Sequence, residues 1–266
     1  MTPSFFGPSA RSLFGIYHPP VGRPARNRGV LLCAPLGQEA IRAHRALRQL
    51  AILLSRARYH VLRFDYYGCG DSAGDSSEGH TTQWLEDIAT ATAELKDCAG
   101  VNRVCWVGLR YGASLAVLAA RGRRDLDSLV LWDPVVDGKA YLREVCAMHE
   151  QLLLEELGDR RRHRRATSPD DAEEILGFPL PRRLRDEIRQ LDLLSIVDYP
   201  VRRVALVVSS TTPAYDRLRA HLSSLRLDMT YAHVPAEWNS DQVMNRSLVP
   251  MDLLQTIVAS LAEAAA

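Results

Sequence analysis

Val104-Cys105-Trp106-Val107-Gly108-Leu109-Arg110-Tyr111-Gly112-Ala113 carries the chain from an apolar strand, through a glycine-flanked turn, into a helix. The strand is apolar on both faces, and an apolar helical pattern over 111–121 follows the turn. Glycines on either side of one projecting side chain let the backbone reverse sharply and set that side chain at a helix N-terminus. A lone Gly-x-x-x-Gly is common, and its place between strand and helix is what gives this one weight. The side chain at the summit is Arg110. A guanidinium stays protonated and offers five N–H donors and no lone pair, so it cannot attack a carbonyl carbon.

Outward from this turn, short apolar runs alternate with helical patterns. Strands are expected over 29–34, 60–65, 103–107, 128–133, 204–209 and 228–234, and helices over 41–56, 82–98, 111–121, 215–225 and 250–264. Such alternation builds right-handed βαβ units on a parallel sheet covered by helices on both faces. Ahead of it, 4–6 and 13–17 read as a short hairpin that ends in the turn-rich stretch 19–27. From 138 to 199 the strand pattern disappears, and charge-rich helical segments, including 141–157 and 182–191, replace it. The expected organisation is a core of residues 1–137 and 200–266 interrupted by a helical cap over 138–199.

A chain of 266 residues suits one large α/β domain with an inserted subdomain. Hydrophobic residues make up 47% and charged residues 24%, which leaves little room for long disorder. The 33 basic and 32 acidic residues nearly cancel, which argues against a general nucleic-acid binder. Lys96 and Lys139 are the only lysines, a bias read as genomic base composition before chemistry. Cys33, Cys69, Cys98, Cys105 and Cys146 are scattered, with no Cys-x-x-Cys pair for zinc or redox work, and fit a reducing compartment. With no leader pattern in the first residues and no apolar run long enough to span a bilayer, a soluble, cytoplasmic protein is expected, and neither cofactor nor metal.

Several stretches together resemble the α/β-hydrolase superfamily. They are 13–20 (LFGIYHPP), 34–39 (APLGQE), 42–47 (RAHRAL), 62–72 (LRFDYYGCGDS), 108–113 (GLRYGA) and 131–136 (LWDPVV). Within the superfamily the chain is similar to the serine-aminopeptidase-like proteins known as exosortase A-associated hydrolases and their relatives beside biosynthetic gene clusters. The resemblance implies a mostly parallel eight-stranded sheet flanked by helices, with an inserted helical cap. It also implies a Ser-His-Asp triad that this chain lacks. Arg110 stands where the nucleophile serine belongs, and one branch of these relatives shares that arginine. The acid that follows the seventh strand is missing from Ser209-Ser210-Thr211-Thr212-Pro213. The histidine beyond the last strand is missing from Pro235-Ala236-Glu237-Trp238-Asn239.

Asp133, at the end of the sixth strand, occupies the other place where hydrolases keep a triad acid. It is expected to pair with Arg110, either as a fixed structural pair or as a couple orienting a bound anion or carbonyl. If an oxyanion hole persists, Leu36 and Tyr111 supply its N–H groups, and Gln38 and Glu39 either face the pocket mouth or cap a helix beginning near Ala40. Tyr66 borders the pocket, and Trp238 and His233 are placed at it, although His233 also reads as a packed imidazole within its strand. Asp71 and Ser72 read as scaffold, and His44 and Arg45 as surface or packing residues of their helix. The run Arg160-Arg161-Arg162-His163-Arg164-Arg165 reads first as a solvated cap loop and second as a phosphate grip for coenzyme A or a carrier-protein arm.

Three functions compete at this level. In the first, a non-serine enzyme acts on an acyl, ester or carboxylate-bearing small molecule, carrier- or CoA-linked, with an acyl carrier protein as candidate partner; Arg110, at the centre of the pocket, stabilises developing negative charge, and Arg110 and Asp133 are the catalytic candidates. In the second, a pseudohydrolase binds a ligand or partner without chemistry. In the third, a hydrolase or thioesterase has relocated its triad, for instance to Ser114 or Cys69 with His233.

Overall fold

The computed structural model describes residues 1–157, 172–238 and 249–263. The run of arginines at 160–165 lies outside them, as does Asn239. Six strands lie parallel: β3 (Gly29–Cys33), β4 (His60–Phe64), β5 (Val104–Leu109), β6 (Leu126–Trp132), β9 (Arg203–Val208) and β10 (Asp228–His233). The expected hairpin, β1 (Thr2–Phe6) and β2 (Leu13–His18), extends them by pairing β2 antiparallel to β4. The result is one eight-stranded sheet in the order β1-β2-β4-β3-β5-β6-β9-β10.

Alternation along each strand sorts the core into two layers. Cys105, Val107 and Leu109 face α1 (Gly37–Arg56) and α7 (Met251–Glu263), packing on Leu50, Leu54, Leu253 and Ile257. Val104 and Trp106 face α2 (Thr81–Ala99), α3 (Tyr111–Ala120) and α6 (Pro213–Ser224). Helix α3 is apolar on all sides because it is enclosed, as a helix buried beside a central strand must be.

Two boundaries depart from expectation. Helix α1 begins at Gly37 and not near Ala40, with Leu36 at its N-cap and no side-chain cap, so Gln38 and Glu39 belong to its first turn. The usual polar start signal is missing there, which is why the sequence pattern placed the start late. Between β6 and β9 the chain leaves the sheet and forms α4 (Gly138–Leu157), a hairpin of β7 (Glu174–Ile175) and β8 (Phe178–Pro179), and α5 (Arg182–Arg189). No strand was expected in this segment. Two residues per strand are too few for an alternating pattern, and the turn rests on Leu176 at φ 51° and Gly177 at φ 84°.

Candidate functional site

The turn after β5 has the strained shape that the two glycines predicted. Arg110 sits at φ 52°, ψ −122°, outside the regions that L-residues favour. A Cβ on Gly108 would lie 2.4 Å from Ala113 Cα, and one on Gly112 would lie 2.2 Å from the Ala34 carbonyl oxygen. The start of α3 is therefore pressed against the backbone that follows β3, in the same turn that carries Leu36. The Arg110 amide donates to the Trp132 carbonyl at 3.0 Å, tying the summit to β6.

The Arg110 side chain is 8% exposed and engages two carboxylates. Its Nε donates to Glu39 Oε1 at 2.7 Å and its Nη2 to Glu144 Oε1, on α4, at 2.6 Å. The guanidinium carbon lies 5.4 Å from the Tyr141 ring centroid, and the Tyr141 hydroxyl donates to Glu39 Oε2 at 3.0 Å. Tyr141 in turn stacks on Tyr111, whose hydroxyl meets Thr81 Oγ1 at 2.8 Å. Burial works against the charge of Arg110. Glu39 and Glu144 together outweigh it and hold the guanidinium pKa well above the ordinary arginine value. Burial, and then the Glu39 carboxylate, push the Tyr141 phenol well above its usual range.

The expected Arg110–Asp133 couple does not form. Asp133 is 3% exposed, at φ 43°, and its carboxylate turns toward the end of β9. There Oδ1 accepts the Ser209 amide at 2.7 Å, and Oδ2 accepts the Ser209 hydroxyl at 2.6 Å and the Trp238 indole N–H at 2.7 Å. Arg110 instead reaches across to α1 and α4. The indole of Trp238 stands where the resemblance places a histidine, and it preserves only that residue's donor. Indole nitrogen has no lone pair free to accept a proton, so nothing at this position can act as a base.

A relocated triad is not assembled either. Ser114 is fully buried and its hydroxyl donates to the Val135 carbonyl at 2.6 Å. Burial pushes the Cys69 thiol up to about 12. His233 is exposed at the end of β10, an edge strand of the sheet, and corrects the expectation that placed it at the site.

A cavity of about 1160 Å³ lies over the start of α1, between the loop after β4 and the elements that follow β6. Leu36, Gln38, Glu39, Tyr66 and Trp238 are among the residues that line it. Arg110, Tyr111 and Asp133 do not, which corrects the expectation of Arg110 at the pocket's centre; Glu39 and Tyr141 stand between its guanidinium and the space. Phe178, Leu180, Leu184 and Ile188 form an apolar wall. Tyr141, Glu144 and Phe178 were missed in the sequence. The first two did leave a trace, since residues three apart share a helix face. Among the described residues no group of His, Cys, Asp and Glu could hold a metal ion, and no helix is long and apolar enough to cross a membrane.

Among known proteins the likeness is one of fold. A putative hydrolase from Agrobacterium vitis S4 superposes with a TM-score of 0.59 at 19% identity, covering 97% of each chain. Est1E from Butyrivibrio proteoclasticus, solved with ferulic acid bound, gives 0.67 at 18% identity, covering 97% of this chain and 99% of its own. GrgF, an alpha/beta hydrolase from Penicillium sp. sh18, gives 0.69 at 14% identity, covering 99% and 98%. No curated protein matches the sequence. The sequence profile of the Alpha/beta hydrolase family matches residues 30–246, most of the length, and the chain belongs to that family.

Proposed function

We propose that this protein binds a small acyl, ester or carboxylate-bearing molecule in the cavity beneath residues 138–199, taken as a cap on the core of 1–137 and 200–266, and forms no acyl-enzyme. One observation carries the reading. The Arg110 guanidinium already lies between the carboxylates of Glu39 and Glu144, so its charge is matched within the protein and is not held in reserve for an oxyanion. The other two triad positions support it, because Asp133 accepts from three donors and Trp238 offers no proton acceptor. Est1E, which shares this fold, has been solved with ferulic acid bound, and an aryl acid is accordingly one ligand to try here.

The test is a fluorophosphonate probe on the purified protein, alongside ligand titrations followed by tryptophan fluorescence, since Trp238 lines the cavity. No labelling and a saturable fluorescence change are expected. Labelling that disappears in Ser114→Ala would overturn the reading in favour of a relocated nucleophile.

A second reading keeps the protein an enzyme of a biosynthetic pathway. It is favoured by Glu39 and Tyr141, a hydrogen-bonded carboxylate and phenol that both line the cavity. Thioesters of coenzyme A and of an acyl carrier protein, compared with the free acids, separate the two readings. Turnover that is lost in Glu39→Gln while binding persists would establish the second.

A further inference from the structure

We propose that the end of the cavity remote from the strained turn is an anion site built by Arg45 and Arg63, so that the ligand is an amphiphile with a carboxylate or phosphate at that end. This rests on the reading of the cavity as a ligand pocket and names the class of ligand it takes.

Arg63 is half-buried on β4, in register with Ile16 of β2, and lines the cavity two strands away from β5. Arg45 lines the same space from α1, six residues beyond Glu39 and so about 9 Å further along the helix axis. Phe14, Ile16 and Leu47 supply apolar surface beside them. Arg48, one turn beyond Arg45, adds to the positive potential at Arg63. Arg28, Arg103, Arg110, Arg123 and Arg203 each lie in an ion pair, whereas Arg45, Arg48 and Arg63 make none among the described residues.

No carboxylate among the described residues is in ion-pair contact with Arg63. Its Nε donates to His18 Nε2 at 3.3 Å. Burial, and then Arg63 itself, push His18 down to about 4, so that at neutral pH the imidazole is an uncharged acceptor. Asp65 is close enough to favour the Arg63 charge and accepts the Asp71 amide at 3.1 Å, and both carboxylates lie on the lining, but neither forms an ion pair with Arg63. Asp75, also on the lining, is taken by the amide and hydroxyl of Ser77. A partly desolvated guanidinium with no carboxylate in contact is costly to keep, and an anion entering the cavity would repay that cost. The opposite end of the cavity lacks this property, since Glu39 is already matched by Arg110.

The experiment is isothermal calorimetry on the full chain with 4-phenylbutanoate, 4-phenylbutyl phosphate and the neutral 4-phenylbutanol, at low and high salt. At least one anion is expected to bind about tenfold or more tighter than the alcohol. That margin should shrink with salt and fall about tenfold in Arg63→Gln, and by less in the exposed Arg45→Gln, which tests the site without disturbing the core. The two anionic arms show which headgroup the site prefers, and a margin for either supports it. Equal binding of all three compounds, or a margin that survives both substitutions, would overturn the anion site and leave the ligand pocket standing. Binding of none of the three would overturn both.

Discussion

Removing the guanidinium at the strained turn should cost the protein more than any other single polar deletion in the site. The Arg110 side chain is 10% exposed and that of Glu39 is 4%, so the pair is shielded from solvent, and Arg110→Met removes the 2.7 Å contact to Glu39 Oε1 while the Tyr141 hydroxyl still donates to Oε2. Breaking such a buried pair from one side costs about 3–5 kcal/mol, because a buried carboxylate loses the guanidinium in contact with it. At roughly 2–4 °C per kcal/mol for a domain of this size, Arg110→Met should lower Tm by roughly 6–20 °C. Glu39→Gln in the same background removes the stranded charge and keeps an acceptor for Tyr141, so the double variant should recover most of the loss, with a coupling of about 2–3 kcal/mol. Glu144 differs because its side chain is 49% exposed, and Glu144→Gln should cost less than about 1 kcal/mol. Urea denaturation followed by far-ultraviolet circular dichroism measures all four proteins. Additive effects of Arg110→Met and Glu39→Gln, or a loss below about 1 kcal/mol for the first, would show that the charge of Arg110 is not matched within the fold.

The other expectations concern the backbone, the lost triad and an unusual imidazole. Gly112→Ala puts a Cβ 2.2 Å from the Ala34 carbonyl oxygen, a contact only backbone movement can relieve, so little soluble folded protein should be recovered; a well-folded variant would mean that this turn yields easily. Arg110→Ser with Trp238→His and Glu39→Gln restores nucleophile and base beside an acid that is already in place. It should react with a fluorophosphonate, whereas Arg110→Ser with Glu39→Gln alone should not; labelling of both would show that the histidine position is irrelevant. His18 is held near 4 in the fold but takes up its proton near 6.5 once unfolded, so proton binding favours the unfolded chain as pH falls from 6.5 to about 4. Stability should therefore drop through that window, and His18→Gln, which keeps an acceptor for Arg63, should flatten the drop; identical pH profiles would refute the assignment.

What could be seen in the sequence and what could not divides along chain separation. The strand, both glycines and the displaced nucleophile are consecutive residues, so local sterics alone specify the turn and the conformation of Arg110. Where a long side chain goes from there is not local. Glu39 and Glu144 lie 71 and 34 residues from Arg110, on helices whose mutual position only the folded sheet determines, and a guanidinium reaches both as easily as it would have reached Asp133. The same limit hid the hairpin at 174–179, whose strands are too short to show a period, and the early start of α1, which lacks a capping side chain.

The three altered positions share a physical logic that bears on function. A working triad needs a proton acceptor between an acid and a nucleophile, and it tolerates buried polar groups only because each has a partner. Here Trp238 donates an N–H to Asp133 and has no acceptor, while Ser209 gives that acid two further hydrogen bonds. Arg110 fills the summit with a cation and recruits Glu39 and Glu144 to neutralise it. Every polar atom named in this exchange has a partner, and neither Arg110 nor Trp238 offers a proton acceptor. Asp133 is held by three donors, and about 1160 Å³ of space lies in front of Glu39 and Tyr141, the room that the proposed binding of a small molecule needs.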